Sequence, residues 1–525
     1  MKSARALPRL LLPFVMTVLL ATGCPNGSGT DDPGDPDNPN PPAGMPVAQW
    51  ARTVTASPAP GATTFNDVAV DSAGNVYAVG YQTNGSYTYG PGVTATTGGL
   101  GNAFAVIVKY DSAGVAQWAR TVTKTGDDFS ESSVFNGVAI SPSGSIFVVG
   151  RQNGTSKYTY SDFLSVTGKN EVNAVIIRYS SAGIAMSGKA VEVRDVTNTT
   201  PMSSSTFNDV TVDSAGVVYA VGHVSGTFFG DTVRTANFVP VTVSCPKSVN
   251  GNSVIVKYDA ALSAQWARGV EVTGNNGSGF YGVSADATGN VYAAGYQDYS
   301  RIYKYGTSVS ATSTSSYRNA VIVKYDANGN ALFARTVSGG TAASYFYGVA
   351  SDSSGHVFAA GYKIDGTVTY ASGFSSSTTN IAAVLVGYDS SLQITSLNVP
   401  SGSSPSYFYG VAVDSLGNAY AAGYQGYYTL TYGSGVALTG PSPGRYATLL
   451  KYDSSGSVKW GQTVTAKDPS ESSAGCQYNA VAVSGSGAIH AAGFQGSTTA
   501  FTYGPGVSAA GIVFMDPNVL LVKYE

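Results

Sequence analysis

One unit recurs seven times in this chain of 525 residues. Its clearest stretch reads VAVDSAGNVYAVGYQ at Val68–Gln82, and matching stretches begin at Val138, Val210, Val283, Val349, Val411 and Val481. We number the units 1 to 7 in this order. The period is 62 to 73 residues. Such self-similarity predicts a repetitive, stacked architecture rather than several unrelated domains.

The composition favours a turn-rich β-structure with an uncharged surface. Hydrophobic residues make up 43% of the chain, which excludes disorder of the main body. Charged residues make up only 11%, compared with about 25% in an average soluble protein. The net charge of −3 supplies no basic field, so we expect no nucleic-acid partner.

Each unit begins with a predicted β-hairpin. In unit 1, Val68–Val70 and Val76–Val79 flank the loop Asp71–Gly74, which suits a type I turn followed by a left-handed glycine. A calcium loop is the alternative, but a carboxylate that bonds its own turn explains the aspartate better. Serine replaces it at Ser141 and Ser484, as a turn allows. We therefore expect no metal site and no cofactor.

A second hairpin follows within each unit. In unit 1 it is Asn102–Val122, and its strand AVIVKY is apolar on both faces, so it must be covered on both sides. The tryptophans share one repeat position, which Phe333 takes in another unit. We expect this position to pack between units; its members are Trp50, Trp118, Trp266 and Trp460.

The two ends of the repeat region complete one unit. Asn518–Glu525 matches the first half of the second hairpin, and Val47–Val54 matches its second half. Antiparallel pairing of these segments would remove the edges of the array. The sequence therefore predicts an all-β, seven-bladed β-propeller over residues 47–525 with about four strands per blade, closed by its N- and C-terminal strands. Blade 7 is then shared between 478–525 and 47–54.

The units resemble the bacterial seven-bladed beta-propeller repeat (SBBP-type) of secreted proteins and lipoproteins. The resemblance rests on the D-x-x-G-N-V-Y-A-x-G-Y and V-K-Y-D-x-x-G-x-x-x-W hairpins and covers nearly all of residues 47–525. It implies the propeller fold and says little about function. NHL repeats are less similar, because they usually place an acidic residue where this chain has Gly80 and its equivalents.

The N-terminus has the layout of a secretory signal peptide over residues 1–23. Basic residues precede the short apolar run Leu10–Leu20, and Leu20–Cys24 reads LATGC. Small residues before a cysteine resemble the lipobox of bacterial lipoproteins, which implies lipidation of Cys24 and attachment to a membrane. The alternative is an ordinary signal peptide with an incidental cysteine. Residues 24–46, rich in Pro, Asp and Gly, should form an extended tether.

No catalytic constellation is visible in the sequence. The three histidines, His223, His356 and His490, occupy different repeat positions. Gly440–Gly444 matches G-x-S-x-G and Gly277–Gly282 matches G-x-G-x-x-G, but neither has the strand–helix context that such motifs need. Cys245 and Cys476 lie in units that should be far apart, so we expect two free thiols.

An aromatic-x-Tyr-Gly pattern recurs between the hairpins. It includes Tyr87–Gly90, Tyr303–Gly306, Leu430–Gly433 and Phe501–Gly504. We expect a short extended excursion that ends in a glycine turn and packs on its own blade. The alternative is a stripe of tyrosines that stacks on sugars.

One further position varies in a way that suggests a ligand site. It follows the aromatic residue at the start of each unit, and it is Asn66, Asn136, Asn208 and Asn479 in units 1, 2, 3 and 7 but Tyr281, Tyr347 and Tyr409 in units 4, 5 and 6. If this strand is the innermost, these side chains meet at the mouth of a central channel and could hold a neutral polar ligand, with Tyr stacking and Asn hydrogen bonds. Duplication of units 4 to 6 is the alternative explanation.

Three functions follow from these observations. The first is a non-enzymatic binding scaffold, expected to be monomeric, that presents a propeller face to a protein or glycan partner. It would be an exported lipoprotein of the outer membrane, facing either the cell surface or the periplasm. The second is a periplasmic envelope-assembly factor. The third is a propeller enzyme, such as a lyase or a quinone-dependent dehydrogenase, for which the repeat offers no acids in register.

Overall fold

A computed structural model describes residues 44–55, 61–97, 103–125, 132–195, 203–226, 234–238, 240–245, 251–272, 276–433, 435–441, 444–466, 475–496, 498, 500–512 and 516–525. Met45–Glu525 forms one compact unit. The described residues form an all-β structure in which the regular elements are strands. None of them belongs to a helix with the length and hydrophobicity needed to cross a bilayer.

The strands recur in the register of the repeat. Strands β1 to β7 are Ala48–Arg52, Thr63–Val70, Val76–Gln82, Ser86–Gly90, Val93–Thr96, Phe104–Tyr110 and Ala116–Thr121. Strands β8 to β14 are Thr123–Thr125, Ser133–Ile140, Ile146–Asn153, Lys157–Ser161, Leu164–Thr167, Val172–Tyr179 and Ala185–Ala190. Strands β15 to β21 are Glu192–Asp195, Ser203–Val212, Val218–Gly226, Arg234–Asn237, Thr242–Cys245, Asn252–Tyr258 and Ala264–Gly269.

The same spacing continues to the last strand. Strands β22 to β28 are Glu271–Val272, Ser278–Ala285, Val291–Gln297, Ile302–Lys304, Ser310–Thr312, Asn319–Tyr325 and Ala331–Thr336. Strands β29 to β35 are Gly339–Gly340, Ser344–Ser351, Val357–Lys363, Gly366–Ala371, Phe374–Thr378, Ala382–Tyr388 and Ile394–Asn398. Strands β36 to β42 are Ser401–Gly402, Ser406–Val413, Ala419–Gln425, Leu430–Thr431, Ala437–Leu438, Tyr446–Tyr452 and Val458–Thr463. Strands β43 to β48 are Thr465–Ala466, Cys476–Val483, Ile489–Gln495, Ala500–Gly504, Val507–Ala510 and Asn518–Tyr524.

The two hairpins of a unit pair into a four-stranded antiparallel arrangement. In unit 1 the order is β2-β3-β6-β7, and units 4, 5 and 6 repeat it. Units 2 and 3 have the same antiparallel pairs and are joined into one larger sheet by a single parallel pair, Val172 with Ser204. In unit 7 the order is β44-β45-β48-β1, so β1 pairs antiparallel with β48 as the sequence predicts.

One hydrogen bond recurs at the junctions between successive units. The side chain at or near the start of a unit's first strand accepts a bond from a backbone N–H at the start of the preceding unit's third strand. In unit 2 the Ser133 hydroxyl accepts from Ala105 at 3.0 Å. The corresponding acceptors are Ser205, Ser278, Ser344, Ser406, the Cys476 thiol and Thr63. For Thr63, in unit 1, the donor is Val519 of unit 7.

The tryptophan position packs between units, as predicted. The Trp118 indole donates to the Ser181 carbonyl in the turn of the next unit, and Trp266 donates likewise to Ala327. Trp50 donates to Ser112, which carries the same contact from unit 7 to unit 1. Arg52 follows it into the turn and donates to the Gly114 carbonyl at 2.7 Å.

The segments between the hairpins form small separate sheets. In unit 2, β11 pairs with β12 and also with β8, which follows the last strand of unit 1. Tyr87, Tyr303 and Tyr503 are buried in these segments, so the sugar-stacking alternative is wrong. The tyrosine before the glycine has an internal partner instead: the Tyr89 hydroxyl donates to Gln82 Oε1 at 3.0 Å. Equivalent Tyr–Gln bonds occur at Tyr160, Tyr305, Tyr432 and Tyr503.

The aspartates of the first hairpin cap their own turns, as predicted. Asp71 Oδ1 accepts the N–H groups of Ala73 and Asn75, at 3.0 and 2.9 Å. Its other oxygen accepts from the Asn75 amide and the Tyr77 hydroxyl. The carboxylate is therefore occupied by its own hairpin.

Candidate functional site

The seven candidate residues line one cavity of about 540 Å³. Each of them is half-buried and is the unpaired residue of a β-bulge in the first strand of its unit. In unit 1, Phe65 pairs with Gly80 and Asp67 pairs with Val79, which leaves Asn66 without a cross-strand partner. A bulge redirects the extra side chain out of the pleat, and here that direction is into the cavity.

The bulge explains the glycine that ends the repeated stretch. A Cβ atom at Gly80 would overlap the carbonyl oxygen of Thr64, because the bulged strand lies against it. The corresponding glycines of the other units meet the same backbone carbonyl. The bulge is thus part of the repeat rather than a local irregularity.

The asparagine side chains connect neighbouring units. Asn66 Nδ2 donates to the Phe135 carbonyl of unit 2 at 2.8 Å, and Asn136 donates to Phe207 of unit 3 at the same distance. Asn208 donates to Phe280 of unit 4, and Asn479 of unit 7 donates to Phe65 of unit 1. Each side-chain amide therefore donates one hydrogen bond to the bulge of the next unit. Its second N–H and its oxygen are the polar groups nearest to hand for a ligand in the cavity.

The three tyrosines make contacts between units with their aromatic rings instead. The ring centroids of Tyr281 and Tyr347 are 4.9 Å apart, and those of Tyr347 and Tyr409 are 5.5 Å apart. Burial raises the pKa of Tyr409 to about 12 and raises those of Tyr281 and Tyr347 further. The phenols are therefore neutral hydrogen-bonding groups at physiological pH.

Two carboxyl groups in the same cavity are absent from the sequence-based candidates. Asp67 and Asp209 stand one residue after Asn66 and Asn208, where the other units have Gly or Ala. The two carboxyls occupy the same repeat position, which corrects the expectation that the repeat offers no acids in register. The signal was available as an acidic residue in two units at a position that is otherwise glycine or alanine.

Both carboxyls are held by the backbone. Asp67 accepts the N–H groups of Val68 and of Val138 in unit 2, at 2.8 and 2.7 Å. Asp209 accepts those of Val210 and of Val283 in unit 4. Burial raises the pKa of Asp209 well above its usual value, and burial together with the charge of Asp209 raises that of Asp67 likewise. Their oxygens thus join successive units as well as facing the cavity.

The remaining sequence candidates lie apart from the cavity or outside the described residues. His356 Nδ1 bonds Asp352 in its own turn at 2.7 Å, and His490 is buried beside Trp50. Gly277–Gly282 runs into strand β23 and has no helix after it. Within the described residues, no three His, Cys, Asp or Glu side chains come close enough to hold a metal ion.

The cysteines can be followed only in part. Cys476 is a buried free thiol, and burial raises its pKa to about 12. The side chain of Cys245, the lipidation candidate Cys24 and the serine of the G-x-S-x-G match at Ser442 lie outside the part that is described. Their predicted roles stay predictions.

In comparisons with known proteins, this chain is similar only to solved structures. No protein-family model matches the chain, and no curated protein matches it. The resemblance to SBBP-type repeats therefore rests on the hairpin motifs of the sequence.

Three solved structures illustrate the similarity. The WD40 beta propeller domain of Doa1 is 10% identical, with a TM-score of 0.39, and the match covers 90% of this chain and 96% of that one. The polysaccharide lyase Uly1 is 9% identical, with a TM-score of 0.37 and coverage of 87% and 89%. A protein of unknown function from Bacteroides caccae is 12% identical, with a TM-score of 0.31 and coverage of 68% and 89%.

Proposed function

We propose that residues 47–525 form a closed, seven-bladed β-propeller that acts as a non-enzymatic binding scaffold. The observation that carries the proposal is the single cavity lined by the bulge residue of every unit. Residues in equivalent positions of seven units can surround one cavity when the units are arranged around a common axis. The ligand of this cavity is a protein or glycan partner that contacts the asparagine amides of units 7, 1, 2 and 3 and the tyrosine phenols of units 4, 5 and 6.

Contacts between units 7 and 1 support closure. The Val519–Thr63 bond, the Trp50–Ser112 bond and the Asn479–Phe65 bond each repeat a contact found between consecutive units. A bridge between Thr55 and Thr88 also joins the segment after β1 to strand β4 of unit 1. Units 7 and 1 thus contact each other through several of their strands, at the same repeat positions that join the other consecutive units.

The hydrogen bonds around the cavity favour binding over catalysis. A general acid or base must present its oxygen within hydrogen-bond reach of the substrate proton. Asp67 and Asp209 each accept two backbone N–H groups, and every cavity asparagine donates to a neighbouring carbonyl. These bonds hold the groups in fixed positions, which suits recognition of a polar partner.

The membrane anchor belongs to the same proposal. Lipidation of Cys24 would attach the protein to the outer membrane, and residues 24–46 would space the propeller from the lipid. Replacing Cys24 by Ser should release the protein from the membrane fraction. Protease treatment of intact cells then distinguishes a surface-facing propeller, which is cleaved, from a periplasmic one, which is protected.

The binding site is tested by removing the phenol hydroxyls. The triple variant Tyr281→Phe, Tyr347→Phe and Tyr409→Phe keeps the aromatic contacts between units and should lose partner capture from detergent-solubilised membranes. A matched triple variant at the exposed Tyr299, Tyr317 and Tyr428 should keep it. Equal capture by the two folded variants would reject the cavity as the binding site.

A further inference from the structure

The three cavity tyrosines belong to a larger cluster, which we call the tyrosine array. Neighbouring ring centroids within it are 4.5 to 6.2 Å apart. Its members are Tyr281, Tyr296, Tyr345, Tyr347, Tyr362, Tyr407, Tyr409 and Tyr424. The array therefore adds five further tyrosines of units 4, 5 and 6 to the three that line the cavity.

The fold does not require this array. Tyr296, Tyr362 and Tyr424 follow the bulge-facing glycine, where units 2, 3 and 7 have Arg151, His223 and Phe494. Tyr345 and Tyr407 precede the aromatic residue of their strand, where units 1, 2, 3 and 7 have Thr64, Val134, Thr206 and Gln477. Those units form the same three strand pairs without a tyrosine cluster, so the fold alone does not explain it.

The array offers hydroxyl groups rather than open ring faces. Tyr347 has the rings of Tyr281, Tyr362 and Tyr409 around it, and Tyr409 also contacts Tyr407 and Tyr424. Among the described residues, the Tyr281 and Tyr409 hydroxyls have no hydrogen-bond partner, and both residues line the cavity.

The two ends of the array differ in charge. At the unit 4 end, the Arg318 guanidinium lies 4.9 Å from the Tyr296 ring centroid and is neutralised by the buried Asp298 at 2.9 Å. At the unit 6 end, the exposed Arg445 lies 5.5 Å from the Tyr424 ring centroid. No carboxylate in the described part of the chain lies within ion-pair distance of Arg445. One exposed cation thus stands beside a row of neutral phenols.

We propose that the tyrosine array and Arg445 bind a glycan in which acidic sugars alternate with neutral ones. A guanidinium pairs with a carboxylate through charge-assisted hydrogen bonds. Sugar hydroxyls both donate and accept, as phenols do. The Tyr281 and Tyr409 hydroxyls together with the exposed Arg445 match a ligand with many hydroxyls and few charges. This inference rests on the proposed function, because it names the ligand class of the same cavity.

An acidic peptide is the competing occupant, and it fits less well. Its recognition usually depends on a cluster of arginines, whereas here Arg318 is already paired with Asp298. A peptide also carries far fewer hydroxyl groups for each carboxylate. A glycan therefore needs hydroxyl groups and few cations at the site, whereas an acidic peptide needs several cations.

Binding of defined oligomers to the full chain in detergent tests the inference. The probes are a hyaluronan hexasaccharide, which alternates glucuronic acid with N-acetylglucosamine, a neutral chitohexaose and a hexaglutamate peptide. Calorimetry should show that Arg445→Gln weakens hyaluronan binding about 10-fold or more, as expected for loss of a hydrogen bond to a charged group. Chitohexaose binding should change less than about twofold by the same reasoning, since it has no charge to lose. The exposed Arg301→Gln is the control and should leave both unchanged.

The hydroxyl contribution is tested separately. Tyr281→Phe with Tyr409→Phe should weaken both glycans, whereas Tyr428→Phe should weaken neither. The inference is overturned if Arg445→Gln leaves hyaluronan binding unchanged, if hexaglutamate binds as tightly as hyaluronan, or if neither glycan binds. The proposed function survives each of these results if the triple Phe variant still loses its membrane partner, so the two failures are distinguishable.

Discussion

The hydroxyl oxygen of Thr63 accepts a 2.9 Å hydrogen bond from the backbone N–H of Val519, although 456 positions separate the two residues in the chain. The same bond is made by Ser406 with Ala383 over a separation of only 23 positions. Both acceptors are fully buried. The long-range contact and the short-range contact are therefore a matched pair for measuring how units 7 and 1 are joined.

Replacing Thr63 by Ala should lower the free energy of unfolding by about 1–3 kcal/mol, because the Val519 N–H is then buried without an acceptor. Thr63→Ser keeps the hydroxyl and should restore most of the loss. Urea unfolding measures both changes. Ser406→Ala is the control and should cost a similar amount. A loss for Ser406→Ala without one for Thr63→Ala would contradict the junction between units 7 and 1.

Replacing Gly114 by Ala should destabilise the protein more than the same change at Gly144. Both glycines have positive φ, 75° and 80°, so both variants bear about 1–2 kcal/mol of backbone strain. A Cβ atom at Gly114 would also lie 2.6 Å from the Trp50 indole, whereas Gly144 has open space. Overpacking of this kind adds about 1–3 kcal/mol. Equal melting temperatures for the two variants would exclude close packing of Trp50 on this turn.

His490 should make stability fall as the pH falls below about 6.5, the usual histidine value. Burial lowers its pKa to about 4, so the unfolded chain binds a proton in this interval and the folded chain does not. By pH 4 its contribution amounts to about 3 kcal/mol. Phe358 occupies the equivalent position in unit 5, and His490→Phe should remove this part of the pH dependence. Unfolding curves at pH 7.0 and 4.5 measure it, and parallel losses in parent and variant would refute the assignment.

Asp209→Asn should lower the pKa of Asp67, because it removes the nearby charge that disfavours ionisation. A carboxyl with a raised folded pKa makes stability fall as the pH rises from its unfolded value towards the folded one. The variant should therefore lose less stability than the parent between about pH 4 and 7. Carbon-13 NMR of the aspartate carboxyls reports the shift directly. Asp414→Asn, in the hairpin turn of unit 6, is the control; an Asp67 titration that does not move would show that the two carboxyls do not interact.

The strand pattern could be predicted because it depends on short-range signals that recur. The turn that begins at Asp71 has the same local cause in other units, where an aspartate or a serine accepts the N–H groups of its own turn. The apolar strand before Trp118 recurs in the same register, and the Trp position is aromatic in five units. Repetition made each signal stronger than it would be in one copy. The pairing of β1 with β48 followed from the same register.

The site could be predicted only in outline, because its contacts cross between units. The sequence indicated that Asn66 and Tyr347 share a position, but the bond from Asn66 to Phe135 spans 69 residues. Tyr362 joins Tyr347 from a different strand, 15 positions later in the sequence. The cavity role of Asp67 depends on the bulge at Asn66, and the recurring Gly80 that accommodates this bulge lies on the neighbouring strand, 14 positions later.

The position of β1 at the edge of its sheet has a consequence for how the protein acquires its structure. Among the described strands, β1 is synthesised first, and its strand partner, β48, is synthesised last. Bringing Val519 in β48 to Thr63, at the other end of the repeat region, closes a loop of 456 residues, which costs about 2 kcal/mol more in chain entropy than closing the 29 residues between Ala447 and Cys476. The strands of units 1 to 6 can pair as they are synthesised, because none of them needs β48. Strand β1, with Trp50, has no strand partner until β48 is complete. The earliest strand is therefore the last to be protected from proteases and from other unfinished chains.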